Sequence, residues 1–431
     1  MAAPSSRPGK ALALLLAINL FNYIDRQVLA AVEPEIRHTF FAGNDSAGMT
    51  HTGWLATAFL VSYMVLAPVL GWAADRMSRW LLIGASVAIW SLASGGSGLA
   101  ATFGMLLGTR VLVGIGEAGY GPAAPTIISD LYPVEKRGQK LALFYLAIPV
   151  GSALGYVLGG AVDAHLGWRW AFYLVVPPGL VLAFLCVLMR DPRPPRIAKP
   201  KAFDPKEILQ LFKIPSYVLN TAAMTALTFA IGGIAFWIRA YLSETRKAEF
   251  PDAKNLASQV TSTFGAITVV AGLLSTIIGG WAGDKLRPKF PSAYFLVSGI
   301  GMLVAFPAMI AMIYVPFPLA WVFLFISIFF LFFNTGPSNT ALANVTPPEV
   351  RATAFAVNIF IIHLLGDAAS PPLIGWIAGR SNMNRAFLFV SGIILLASVF
   401  WFWGMRYLPQ DTAAVENAAG ATLEKTPDAA E

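Results

Sequence analysis

The sequence predicts an all-helical protein that crosses a membrane many times. Three observations carry this reading. Hydrophobic residues make up 57% of the 431 residues and charged residues only 12%, about half the charge of an ordinary soluble domain; mean hydropathy is +0.65. Apolar runs of about 20 residues or more recur along the whole chain, each long enough to cross a bilayer core of about 30 Å as a helix. Two loop motifs each occur twice at a nearly constant offset. "GWAADRMSRW" (Gly71 to Trp80) returns as "GWAGDKLRPK" (Gly280 to Lys289), and "YPVEKRG" (Tyr132 to Gly138) returns as "TPPEVRA" (Thr346 to Ala352). The repeats indicate a duplicated unit of six spans.

Twelve spans are expected, at 11–32, 52–74, 81–100, 105–129, 139–161, 169–189, 216–242, 258–282, 292–314, 318–341, 352–378 and 386–407. They group as an N-terminal bundle (1–189), a linker (190–214), a C-terminal bundle (215–408) and a tail (409–431). The first run holds the polar pair Asp25–Arg26, wrong for the apolar core of a signal peptide, and is read as a retained helix. The linker opens "RDPRPPRIAKPK", whose prolines forbid a continuous helix. Its "DPKEILQLFK" could lay Ile208, Leu209, Leu211 and Phe212 on a membrane surface. The tail after Gln410 is Ala-rich and polar and reads as disordered.

Lys and Arg concentrate on the loops that share a side with the termini. The positive-inside rule therefore places both termini in the cytoplasm, and a cell (inner) membrane is the expected location. This distribution accounts for the net charge of +7 without a nucleic-acid partner. The single cysteine, Cys186, excludes an internal disulfide. His38, His51, His165 and His363 are too scattered for a metal site. Gly114-x-Gly116-x-x-Gly119 lies inside an apolar span, without the strand a dinucleotide site needs. "GGSGLA" lacks the final glycine of a nucleophile elbow. With no nucleophile–base pair in view, an enzyme is not expected, and no cofactor beyond a coupling proton.

An ion in hydrocarbon costs roughly 2.5–3.5 kcal/mol on insertion scales, so charges within spans should meet water or a partner. On span one, Asn19, Asn22 and Arg26 share a face and Asp25 adjoins it. At 1.5 Å per residue Asp25 lies about 21 Å from the start of the span. On span four, Arg110 and Glu117 are nearly aligned. Asp25, Arg26, Arg110 and Glu117 are expected to form one buried network, whose two acids and two bases nearly cancel. A purely structural lock between helices is the alternative. On span eleven, His363 and Asp367 lie one turn apart, His363 near the midplane; histidine titrates near neutrality, although a satisfied core histidine would look the same. Arg239 reads as an interfacial anchor.

Two six-helix halves with G-x-x-x-D-[RK] after the second span of each resemble the major facilitator superfamily. The resemblance implies the major facilitator fold and alternating access around a central cavity. It also implies gating by Asp75 and Arg76 with their counterparts Asp284 and Lys285, the aspartates capping or pairing across a helix interface. In that fold the ladder Gly151, Gly155, Gly159 would form a sliding contact between halves. "FNYIDRQVLAAVEPEI" (Phe21 to Ile36), "GIGEAGYGPAAPTIISDLYP" (Gly114 to Pro133) and "FYLAIPVGSALGYVLGG" (Phe144 to Gly160) narrow the resemblance to the spinster family, transporters of lysophospholipids and sphingoid phosphates. Tyr120-Gly121-Pro122 departs from the family wording. The resemblance implies a bacterial member of the family in which Arg26 holds an anionic head group, with Arg110, Asn22 and Asp367 at the substrate. Asp25, Glu117 and His363 would carry the proton. A monomer is expected. The competing expectations are a proton-coupled symporter of a small organic anion such as a sugar acid, and a membrane sensor that does not transport.

Overall fold

The computed structural model describes residues 8–42, 45–74, 76–132, 134–191, 209–250, 256–347 and 350–424. No strand occurs among them. Eleven of the helices are long and apolar enough to cross a membrane. The twelfth expected span is present but broken. Span four runs Phe103–Glu117 and resumes as Tyr120–Leu131. Pro122 explains the break: it has no N–H to offer the Ala118 carbonyl, and its ring crowds that carbonyl. The interruption leaves Glu117 at the end of the first segment.

Span one is longer than its apolar run. It extends over Pro8–Phe41, through Glu33, Glu35 and Arg37 and past Pro34. The other spans of this half are Asp45–Ala74, Arg79–Gly98, Val134–Leu166 and Trp168–Val187. In the second half, span seven covers Pro215–Thr245, span eight Leu256–Leu286, span nine Ala293–Tyr314, span ten Leu319–Asn344 and span twelve Met383–Gly404. Span eleven comprises Arg351–Ile362, a π-helical turn His363–Asp367, and Ser370–Arg380.

By contact the chain falls into two compact units. The first joins Met1–Pro200 with Gly233–Val269 and Ala368–Ala386; the second is Lys201–Gly232, Val270–Asp367 and Phe387–Glu431. The division cuts spans seven, eight and eleven, whose ends belong to the first unit.

Within the first unit, glycine sets the spacing of the helices. The ladder on span five packs against span one of the same half, and is not the sliding contact between halves that was expected. A Cβ at Gly151 would lie 2.5 Å from the Leu20 carbonyl oxygen, and one at Gly155 2.5 Å from that of Ile24. Without side chains the two backbones touch, as small residues allow in membranes. The same device joins span two to the end of span eleven: a Cβ at Gly53 would lie 2.6 Å from the Pro371–Pro372 backbone, and one at Gly379 2.2 Å from the Ser46 carbonyl oxygen. Pro372 cannot bond the Ala368 carbonyl four residues back. Thr57 Oγ1 donates to that carbonyl instead. The carbonyl freed by Pro372 is thus satisfied inside the protein, as a lipid environment requires, and the fully buried indole of Trp237 donates to the Pro371 carbonyl at 2.9 Å.

In the second unit, span twelve is tied to span seven by Trp401 Nε1, which donates to Asn220 Oδ1 at 2.8 Å. Asn220 Nδ2 in turn donates to the Ser338 carbonyl of span ten at 3.0 Å. The tail is not disordered where it is described: Leu408–Glu424 is helical. Asp411 accepts from Ser216 N at 3.0 Å and from Ser216 Oγ at 2.5 Å, and so caps the start of span seven from a distant part of the chain. Composition alone misses this, because the stabilising partner is an orphan N–H group of another helix. Residues 425–431 and most of the expected amphipathic linker segment lie outside the described residues; Leu209, Leu211 and Phe212 are described, and only Leu211 is buried.

Candidate functional site

The expected polar cluster forms on the inner faces of spans one to four. Arg26 reaches Glu117 across from span one to span four: Nη2 lies 2.7 Å from Oε2, and Nε donates to the same oxygen at 2.8 Å. Rings of Tyr23, Phe59 and Tyr63 surround the guanidinium, with centroids 5.0, 4.9 and 5.5 Å from Cζ. Each can contribute a cation–π attraction, strongest where water is excluded. Asp25 points to span three, where its carboxylate accepts from Ser94 Oγ. Its other oxygen has no hydrogen-bond partner. Asn19 is spent on structure: its Nδ2 donates to the Phe144 carbonyl at 2.8 Å. Asn22 is buried, and neither its Nδ2 nor Glu117 Oε1 has a hydrogen-bond partner.

Arg110 departs from expectation in detail. It is buried, but it makes no direct ion pair with the acids. Its Nε and Nη1 lack hydrogen-bond partners, and its guanidinium packs 5.6 Å from the Phe59 ring. Phe59 thus serves both arginines. Beyond the Arg26–Glu117 pair, the four charges share one region through their fields rather than through direct contacts. Together they sum to zero, the condition under which burial is tolerable. Only Arg26 reaches open space: its side chain is 22% exposed, against 1% for Glu117, while Asp25 and Arg110 are also 1% exposed as residues.

In the second unit His363 Nδ1 lies 2.7 Å from Asp367 Oδ2. Both side chains are partly exposed. The pair sits on the π-helical turn, and such turns often occur at functional sites. Gly366 explains why the turn fits: a Cβ there would lie 3.0 Å from the Phe229 nitrogen and the Thr225 carbonyl oxygen of span seven.

The residues expected to gate divide. Asp75 lies outside the described residues. Arg76 turns back on its own helix, with Nη1 donating to the Trp72 carbonyl at 3.1 Å and Cζ 3.9 Å from the Trp72 ring. Lys285 does likewise, with Nζ 4.4 Å from the Trp281 ring. The tryptophan of each motif is therefore a rest for the cation four residues on. Asp284 does pair across a helix interface, accepting from Tyr294 Oη at 2.9 Å.

Several charged groups escaped sequence reasoning. Arg79, counted only as a positive loop residue, is buried and pairs with Asp130 and Asp191, each at 2.7 Å. Arg239 is not an interfacial anchor: it is buried and held by Glu35 at 2.5 Å and Asp163 at 3.0 Å. Arg37 pairs with Glu33 at 3.2 Å and with Glu244 at 2.5 Å. The available signal was "EPEIR" at the end of span one, where three charges outlast the apolar run.

Comparison with known proteins fixes the class. Residues 15–369 match the Major Facilitator Superfamily. The chain is 36% identical to protein spinster homolog 3 of Danio rerio over 437 aligned positions, covering 94% of this chain and 86% of the relative. It is 38% identical to protein spinster homolog 1 of Homo sapiens, covering 88% of this chain and 75% of the relative. Among solved structures it resembles a bacterial homolog of the human lysosomal transporter Spinster, described as inward-facing and unoccupied. That match has a TM-score of 0.80 at 23% identity and covers 94% of this chain and 99% of the other. The chain belongs to the major facilitator superfamily, a class of multi-pass membrane transporters, and within it to the spinster family.

Proposed function

We propose that this chain moves an amphipathic anionic lipid, of lysophospholipid or sphingoid-phosphate type, in a proton-coupled alternating-access cycle. Both termini are cytoplasmic in this reading, and the membrane is the cell (inner) membrane. The observation that carries the proposal is Arg26: one accessible guanidinium, already paired to a buried carboxylate and walled by three aromatic rings. A guanidinium suits phosphate oxygens in a forked geometry. The walls suit an apolar substrate body. A sugar acid would bring several hydroxyls, each costly to desolvate without a partner, and the rings around Arg26 supply few.

The coupling follows from charge balance. With Asp25, Arg26, Arg110 and Glu117 all ionised the cluster is neutral. An anion arriving at Arg26 makes it negative and must displace Glu117 from the guanidinium. A proton on Glu117 breaks that pair and restores neutrality, so proton and anion favour each other's binding. Asp25 stands ready as a second carboxylate in the same field; in the second unit His363 is the corresponding proton-coupling residue, and Asp367, bonded to it, belongs to the substrate site.

Reconstitution in proteoliposomes with a pH-sensitive dye inside tests this reading. Lysolipid or sphingoid phosphate added to one side should move protons, and sugar acids should not. Proton movement with sugar acids alone would transfer the proposal to a small-anion symporter. Binding without proton or substrate movement would make the protein a sensor.

A further inference from the structure

The far end of the first unit, remote from the N-terminus, carries a second set of charges that the central cluster does not explain. Spans one and seven exchange partners reciprocally there. Arg37 of span one binds Glu244 of span seven through Nη2 at 2.5 and 2.6 Å. Arg239 of span seven binds Glu35 of span one at 2.5 and 2.9 Å. Each arginine also touches one further carboxylate: Glu33 for Arg37, and Asp163 of span five for Arg239. The carboxylates that take the paired contacts, Glu35 and Glu244, are 37% and 28% exposed; the further ones, Asp163 and Glu33, are 6% and 0% exposed.

Each arginine thus neutralises one carboxylate that water can also reach, and leaves one buried carboxylate in surplus. Glu33 faces Arg37 and Glu244 as its charged neighbours and accepts from Thr52 Oγ1 of span two at 2.6 Å. Its Oε2 has no hydrogen-bond partner. Asp163 meets the Arg239 guanidinium at 3.0 Å, and the same guanidinium also holds Glu35. His38 stands 3.7 Å from Glu244 and is 61% exposed. Among the described residues, these two guanidinium charges therefore meet four carboxylates. Two uncompensated negative charges in a low-dielectric site are far costlier than two neutral acids.

We propose that Glu33 and Asp163 are two proton-binding sites, separate from the Asp25–Glu117 cluster, that are loaded when the far end of the first unit is closed and emptied when it opens. Closure brings spans seven, eight and eleven onto spans one, two and five, and desolvates both carboxylates. Opening returns them to water. Closure therefore takes up protons from the compartment at that end: acid favours the closed form and alkali the open one. The inference needs only that the transporter alternates, and it holds whatever the cargo.

The test uses the full-length protein in nanodiscs without substrate. Spin labels are placed at Ala164→Cys and Ala248→Cys, exposed positions after Asp163 and after Glu244; the native Cys186 is buried. Pulsed dipolar spectroscopy reads the ratio of short to long distances between about pH 5 and about pH 9. By linkage, two protons give a ratio that falls by up to about a hundredfold per pH unit where both titrate, and one proton by up to about tenfold. Glu33→Gln or Asp163→Asn alone should reduce the slope to the one-proton value, and the pair should abolish it with the short distance dominant throughout. A pH-independent ratio in the wild type would overturn the proposal. So would a slope that survives the double variant but vanishes in Asp25→Asn with Glu117→Gln. The amides mimic the protonated acids, so a failure of the single amide variants to fold would also contradict it.

Discussion

Replacing Glu117 with glutamine isolates the exchange on which the proposed coupling rests. The variant keeps the size and shape of the side chain but removes its charge. In the wild type an incoming anion competes with Glu117 for Arg26, which is held by contacts of 2.7 and 2.8 Å. A hydrogen bond to a charged group contributes about 1.5–3 kcal/mol net, and Arg26 is partly exposed, which places the pair toward the lower part of that range. Freeing the guanidinium should therefore strengthen binding of an anionic head group about tenfold at alkaline pH, where about 1.4 kcal/mol corresponds to one decade. The sign of the pH effect follows. Wild-type binding should tighten as acid protonates Glu117, whereas Glu117→Gln should bind tightly at all pH values and lose the dependence. Titration calorimetry with a short-chain lysolipid phosphate in detergent, from about pH 5 to about pH 9, reads both quantities. Weaker binding by Glu117→Gln at alkaline pH, or an unchanged pH profile, would refute the exchange.

Three other substitutions test the parts around it. Arg26→Ala should abolish head-group binding while Arg26→Lys retains a weakened fraction, because lysine keeps the charge but loses the fork; normal transport by Arg26→Ala would remove the head-group role. Gly155→Leu should cost several kcal/mol or prevent folding, since even its Cβ would meet the Ile24 carbonyl oxygen at 2.5 Å, while Gly108→Ala, with nothing within 4 Å, should be neutral or gain up to about 1 kcal/mol in helix propensity; thermal unfolding followed by size-exclusion fluorescence separates them. Asp411→Ala should cost about 1 kcal/mol through loss of the cap on span seven and should speed proteolysis of Leu408–Glu424, with transport chemistry at Arg26 untouched.

The class of molecule is legible in the chain alone. Spans are legible because a bilayer demands long apolar helices, and the duplicated loop motifs expose the six-and-six plan. The central residues were legible for a related reason: an ion in hydrocarbon is expensive enough that Asp25, Arg26 and Glu117 had to converge on something. Tertiary structure decided which partner each one takes. Arg110 proved to rest on Phe59 rather than on a carboxylate, and Ser94, in a stretch that reads as mere small residues, proved to hold Asp25. The glycine ladder announced close contact but not with which helix, since a missing side chain carries no address. Arg239, Glu35 and Asp163 are scattered over three helices, and Asp411 caps a helix that begins nearly two hundred residues earlier. Such pairings depend on the order in which helices pack, which local periodicity does not encode.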